Sequence, residues 1–467
     1  MKKQLLAILA TVSCLTACTS SQPEQQTERY RILVSTDIGG TDPDDNQSML
    51  HLLMYSNEFD IEGLISSASY GPGSKAEILR MIDEYEQDRP RLQQGLSLAQ
   101  QQGVCADNHE MATADYLRSI TRQGLKDEAT LAGYGEQPTE GSQWIVECAN
   151  RPDPRPLYVL VWGCLEDVAQ ALHDDPGIVD KIRVYWIGGP NKKWGCNAYN
   201  YLAENHPDLW MIENNSSYRG FIGDARDSSY YQASFWENCM KGCGVMGDDF
   251  VNYYNGIAKM GDTPSLLYMM QGAPDHNFDP ADPTQEHWGG QFEPMTQSPK
   301  YIITGALTQA DTVPCYALME WQLQGPALDI PADSVAFTLT VANQTWRGHY
   351  VGDGRYVVRY APKQPDTLPY VISSDIPGFP VHEGVFVVGQ DWPAVGQYTI
   401  TSPTITSAPI AVGSHWWTDI CDEKLLCGVS DYEELRHQQQ KWQGAATISK
   451  WRDEVMQDWA TRFGWMR

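Results

Sequence analysis

The stretch "VSTDIGGTDPDDNQSM", Val34 to Met49, sets four aspartates, Asp37, Asp42, Asp44 and Asp45, within nine positions directly after the apolar run "RILV". Carboxylates this close repel one another unless a cation or solvent offsets them. An all-oxygen cluster suits a hard ion such as calcium, which takes roughly 6–8 oxygen ligands. Chemistry of that kind orients hydroxyls and activates water for hydrolysis. The plainer assignment is a solvated turn leading into a helix N-cap, because Asp and Asn favour both places and acidic groups suit a helix N-terminus. On spacing alone both assignments stay open.

The elements around the cluster give it a place. From Tyr30 short apolar strands alternate with amphipathic helical segments: "RILVST", then "DNQSMLHLLMYS"; "IEGLISS", then "KAEILRMIDEYEQD"; "PLYVLVWG", then "LEDVAQALHDD"; and "KIRVYWIGG". This alternation predicts an α/β fold, a largely parallel sheet with helices on both faces. Such sheets bind ligands in a crevice at the carboxyl ends of their strands, where the Asp cluster falls. The first helix should bury one face carrying Met49, Leu52 and Leu53, and His51 and His173 read as helix-surface residues.

Composition changes near Ala306. From Cys315 to Val388 two-residue alternation takes over, as in "SVAFTLTVANQTW" and "GRYVVRYAPK", with turn residues between the runs. The pattern predicts an immunoglobulin-like β-sandwich. After Ser402 the chain reads as loop until "ISKWRDEVMQDWATRFGWM", where Trp451, Val455, Trp459 and Phe463 are spaced by four. A sandwich between helical parts suggests an inserted module. The expected division is 29–306 for the first part of the α/β domain, 312–405 for the insertion and 413–467 for a helical part completing the domain.

A formal charge of −27 would repel phosphate backbones, so nucleic acid is excluded as an expected partner. Lys2 and Lys3 precede the apolar "LLAILATVSCL", too short to span a bilayer, which predicts an export signal over 1–18. "LTAC" resembles a lipobox and makes Cys18 the lipidation candidate. Residues 19–28 would be a polar tether, and the mature chain a cell-envelope lipoprotein held by lipid to a membrane, expected to be the outer one. Eleven Cys include Cys14 and Cys18, and the odd remainder has no regular spacing. Cys239 and Cys243 lack nearby partners for a metal and read as small apolar residues.

Four stretches, in order, carry a resemblance. "VSTDIGGTDPDDNQSM" is similar to the Asp-rich metal motif of nucleoside hydrolases. "PLYVLVWGCLEDVAQAL" resembles their strand–turn–helix element, "IGGPNKKWGCNAYNYLAENHPD" their sugar loop, and "GDTPSLLYM" their late Asp-bearing motif. With "YSNEFDIEGLISS", "HWGGQFEP" and the C-terminal "GAATISKWRDEVMQDWATRFGWM", the chain more closely resembles the nucleoside-hydrolase-like domain of bacterial proteins first described as cellulose-binding. "EWQLQGP", "GRYVVRYAPK" and "GVFVVG" resemble the sandwich module of some bacterial glycoside hydrolases.

The resemblance implies a nucleoside-hydrolase-like fold with a Ca2+ site. Asp37 would be a ligand that also takes the proton from water, Asp44, Asp45 and Asp262 further ligands, and Glu166 a donor through its backbone carbonyl. Asn197, Asn200 and, more weakly, Glu204 would hold sugar hydroxyls. His287, Glu286 and Glu293, in "QEHWGGQFEP", are candidates for protonating a leaving group, against a structural turn formed by Trp288 and the two glycines. The sequence departs from the pattern in three places: a longer loop makes Asp42 an alternative ligand, "SASYGPG" replaces a sugar-binding Asn, and Gly261 stands where some members carry His. The expectation is a metal-dependent glycosidase acting on a pentose-like or glycan-derived sugar, with a non-catalytic carbohydrate-binding lipoprotein as the alternative.

Overall fold

The computed structural model describes residues 29–40, 42–105, 109–127, 130–222, 233–270, 278–389, 402–422, 427–429 and 440–467. The expected leader, tether and Cys18 lie outside the described residues.

Apolar runs rich in β-branched and aromatic residues make the first sheet. Its strands are β1 (Tyr30–Thr36), β2 (Phe59–Ser66), β3 (Thr121–Gln123), β4 (Leu157–Val161), β5 (Ile182–Ile187) and β6 (Trp210–Asn214), all parallel. Two late strands, β7 (Phe292–Pro294) and β8 (Trp416–Asp419), complete the order β3-β2-β1-β4-β5-β6-β8-β7. β8 runs parallel to β6, and β7 antiparallel to β8. Neighbouring residues of a strand point to opposite faces, so Ile32 and Val34 enter one core and Leu33 the other. Helices Lys75–Gln101 and Arg452–Gly464 line the first core, and helices Glu140–Ala149, Glu166–Asp174 and Cys196–Asn205 the second. Cover on both faces is what a parallel sheet requires.

The helix after β1, α1 (Asp44–Met54), is not one-sided as expected, because every residue from Asp45 to Met54 is buried. His51 is therefore no surface residue. It lies fully buried, its ring centroid 4.9 Å from Tyr55 and 4.7 Å from Trp459, and burial with the Arg462 charge pushes its pKa down to about 3. The covering element is helix Arg452–Gly464, whose Arg462 donates to Met54 O and to Asn57 Oδ1, each at 2.7 Å. Periodicity within α1 carries no trace of a partner some 400 residues downstream. His173 is exposed as expected, stacked on Tyr134 at 3.6 Å.

A second sheet of nine described strands folds over its own core. Trp321, on strand Leu318–Gln324, packs 5.6 Å from Tyr370 and 6.4 Å from Phe386, on strands at the other end of the same sheet. That face-to-face contact makes the unit a sandwich. Two boundaries differ from the expected ones. Lys300–Ile303, counted with the first part, pairs with Leu318–Gln324 in the sandwich. The stretch after Ser402, expected as loop, supplies Ile405–Ser407 to the sandwich and β8 to the first sheet. Strands of three or four residues carry too little alternation to be read.

Candidate metal centre

Thr36 ends β1, and its hydroxyl donates to the Asp45 carboxylate, tying the strand end to the first turn of α1. Asp262, more than 200 residues on, is brought to the same place by Gln47 of α1. The Gln47 amide donates to Ile257 O at 2.8 Å, and its oxygen accepts from Lys259 N and Met260 N at 2.8 and 2.9 Å. Met260 is held at φ +49°, a conformation that surroundings must over-determine in a non-glycine residue. At Gly261 a Cβ would lie 2.5 Å from Asp44 Oδ2, so the glycine that departs from the family pattern is what lets Asp44 approach.

An N-cap role does not account for Asp262. It occupies the N-cap position of helix Thr263–Leu267 yet makes no side-chain cap hydrogen bond, and its buried Oδ2 has no hydrogen-bond partner among the described residues. α1 likewise has Pro43 at its N-cap and no side-chain cap hydrogen bond. Instead Asp44, Asp45 and Asp262 present oxygens within 4.8 Å of one another. Burial first, and mutual repulsion second, raises the pKa of Asp45 and of Asp262, and burial with the nearby Asp42 charge raises that of Asp44. Burial pushes Asp37, at the strand end, up to about 6, although hydrogen bonding to Asp45 and Ser69 opposes the shift. Acids that resist ionisation together, one with a buried oxygen unpartnered among the described residues, fit a hard cation by donor chemistry.

Asp42 does not fit the alternative ligand role. Its half-exposed carboxylate is 2.5 Å from Lys259 Nζ, which also lies 3.5 Å from Asp44. Lys259 is a cation that the chain itself supplies to the rim of the cluster, and nothing in the sequence marked it beyond a position three residues before Asp262. We expect Gly261→Ala to displace Asp44 and weaken calcium binding by about tenfold or more in isothermal titration, with the far-UV spectrum unchanged. Equal affinity would remove Asp44 from the ligand set.

The turn after β4 closes on the same point. A Cβ at Gly163 would lie 3.1 Å from Asp37 Cβ, and Trp162 N donates to Ser35 O at 2.7 Å. Glu166 opens the next helix and is buried; its carboxylate and that of Asp37 add to burial in pushing the Cys164 thiol up. Asn191 accepts from the Ser69 hydroxyl at 2.5 Å and donates to Trp162 O and Ile187 O at 2.8 and 2.9 Å. Ser69 also lies beside the Asp37 carboxyl, so Asn191 stands one residue removed from the acid cluster. Sequence reading missed it because "GGPNKKWGCNAYN" offers three asparagines and spacing does not orient them.

The other expected site residues go elsewhere. Helix Cys196–Asn205 turns its polar side chains to the sandwich: Lys300 Nζ reaches Asn200 Oδ1 at 2.8 Å and Glu204 Oε1 at 2.9 Å, and Arg359 donates to Asn197 Oδ1 at 3.1 Å. Glu320 binds both cations, at 3.1 Å from Lys300 and 2.7 Å from Arg359. Asn197, Asn200 and Glu204 are thus interface residues. His287 is fully buried, stacked on Phe278 at 3.8 Å, and burial lowers its pKa to about 3, so a neutral ring has no proton to give near neutral pH. Exposed Glu286 pairs with Lys450 at 2.9 Å, and Glu293 of β7 accepts from Cys421 N at 3.1 Å. Cys239 and Cys243 are free thiols.

Residues 31–292 match the family described as "Cellulose-binding Sde182, nucleoside hydrolase-like domain", and residues 312–375 match a domain of unknown function, DUF5060. No curated protein matches. Among solved structures, a nucleoside hydrolase-related hypothetical protein from Saccharophagus degradans, described as associated with carbohydrate metabolism, aligns with 78% of this chain and 100% of its own at 18% identity and a TM-score of 0.46. The inosine-uridine preferring nucleoside hydrolase of Bacillus anthracis aligns with 58% of this chain and 86% of its own at 12% identity and a TM-score of 0.37. The purine-preferring ribonucleoside hydrolase of Gardnerella vaginalis covers 57% and 83% at 13% identity and a TM-score of 0.34. The family match takes in more than half of the chain and the whole stretch from β1 to the start of β7, and the chain belongs to the cellulose-binding Sde182, nucleoside hydrolase-like domain family.

Proposed function

We propose that the protein is a metal-dependent glycosidase that hydrolyses a glycan-derived or pentose-like sugar outside the cytoplasm. The observation that carries this reading is the buried Asp262 carboxylate converging on Asp44 and Asp45, its Oδ2 without a hydrogen-bond partner among the described residues. Calcium would be held by Asp37, Asp44, Asp45, Asp262 and the Glu166 carbonyl. Bound there, it supplies Lewis acidity and coordination sites for vicinal hydroxyls. Asp37, directly after β1, suits the general base that takes a proton from the attacking water, with Ser69, itself bonded to Asn191, beside it. The surrounding carboxylates favour the positive charge that develops on the sugar.

None of His287, Glu286 and Glu293 is bonded to the acid cluster, so an aryl glycoside, whose leaving group departs without a proton, is the substrate of choice for assay. We expect calcium-dependent hydrolysis of aryl pentosides or of glycan fragments, abolished by chelator. Nucleosides should be poor substrates, because Asn197 and Asn200 are committed to the sandwich. Release of base from inosine or uridine with kcat/KM of ~10⁴ M⁻¹s⁻¹ or more would overturn that expectation.

A second reading, a carbohydrate-binding protein without turnover, is favoured by Lys259, whose ammonium already offsets part of the negative charge at Asp42 and Asp44. It agrees with the family's cellulose-binding description. In either case we propose that Cys18 carries lipid and anchors the chain in the cell envelope. Metabolic labelling with a fatty-acid analogue, lost in Cys18→Ala, tests this.

A further inference from the structure

Two loops bordering the acid cluster share one design. Ser69 faces Asp37 and Asn191, and the next residue, Tyr70, is 57% exposed. Asn191 faces Ser69 and Trp162, and three residues on stands Trp194, half-buried. The two aromatic rings meet, with centroids 4.8 Å apart and a 44° tilt. Trp194 then stacks on Trp346 of the sandwich at 4.9 Å and 14°, and Trp346 Nε1 donates to Lys193 O at 2.9 Å. Trp346 in turn meets Tyr360 edge-on at 4.7 Å.

The loop that carries Tyr70 returns closely to the end of β2, where a Cβ at Gly73 would lie 1.9 Å from Ser67 O. An exposed tyrosine braced by a ladder of indoles is an apolar surface at the rim of a polar crevice. Pyranose rings present an apolar C–H face that such surfaces take up, while their hydroxyls stay in water.

We propose that Tyr70, with Trp194 beneath it, is a carbohydrate-stacking subsite beside the acid cluster, taking a pyranose ring of an oligosaccharide whose neighbouring sugar enters the crevice. The sandwich contributes Trp346 as the base of the ladder, which gives the second module a part in substrate binding. The inference deepens the glycosidase reading and shares its assumption that the crevice takes sugar.

Isothermal titration of the full chain with cellohexaose and with xylohexaose, in calcium and in chelator, tests it with Tyr70→Ala, Tyr70→Phe and Asp37→Asn. The subsite requires that the parent bind one of the two hexaoses and that Tyr70→Ala weaken this binding about tenfold, with an unchanged melt. Tyr70→Phe should stay within roughly twofold, because stacking needs the ring and not the hydroxyl. Equal affinity of Tyr70→Ala and parent for both hexaoses, or no binding by the parent, overturns the subsite. Activity indifferent to Asp37→Asn and to chelator would sink the glycosidase reading and leave the subsite standing.

Discussion

Asp37→Asn should lower kcat on an aryl glycoside by about 10³-fold, the range expected when a positioned general base is removed. The amide is isosteric and cannot accept the proton. Stability should move the other way. The Asp37 carboxyl is pushed up to about 6 by burial, with the Asp42 charge adding to the shift, so its ionised form is held against its preference at neutral pH. Without calcium the variant should therefore melt at or above the parent temperature. A variant that loses activity only because it unfolds would melt below the parent, and the role assigned to Asp37 would fail.

Truncation after residue 298 should abolish folding of the α/β domain although the cut lies beyond β7. The lost part includes β8, which sits between β6 and β7, and the helix that seals α1. Trp459 and Phe463 are fully buried, and each deletion of such a side chain costs about 3–5 kcal/mol against a total stability of about 5–15 kcal/mol. The reverse cut should be tolerated. Ser298 pairs with Ile410 and Gln297 with Ala411 in an antiparallel bridge, so the ends left by removing 300–408 already lie side by side. A short turn joining them should leave a cooperative, if less stable, domain, since the contacts of Lys300 with Asn200 and Glu204 go with the module. Size-exclusion chromatography and thermal melts check both chains. A soluble, cooperatively melting fragment ending at 298 would show that the C-terminal part is not integral to the fold.

β1, β2, β4 and β5 were legible because each is a mostly buried strand of five to eight residues, the first three followed by a helical period, and the parallel sheet follows from that alternation. The sandwich strands were legible by period two. β7 and β8 were not, being three and four residues long and placed by partners far away in sequence. The acid cluster was half legible: four aspartates in nine positions are conspicuous, whereas Asp262 looks like any helix N-cap until its side chain is seen to cap nothing. The polar face of helix Cys196–Asn205 misled because an asparagine suits a sugar hydroxyl and an interface lysine equally well, and only the sandwich packed against it decides. Asn191 and Lys259 needed the fold, since neither sits in a spacing that singles it out.

Calcium titration of the melt, for the parent beside Asp262→Ala, tests the metal centre most directly. Raised carboxyl pKa values make the cluster's own contribution to the calcium-free fold greatest below the ordinary carboxylate range near 4, and that contribution is lost as pH rises through the Asp37 value of about 6. Calcium should therefore raise the parent melting temperature more at pH 7 than at pH 5. With calcium at about 100 times its dissociation constant the gain is about 2.7 kcal/mol, about 3 °C for a chain of this size. Asp262→Ala should lose most of that rise while folding normally. A calcium response in Asp262→Ala equal to that of the parent would contradict the metal centre, and with it the reading of the acid cluster as a catalytic site.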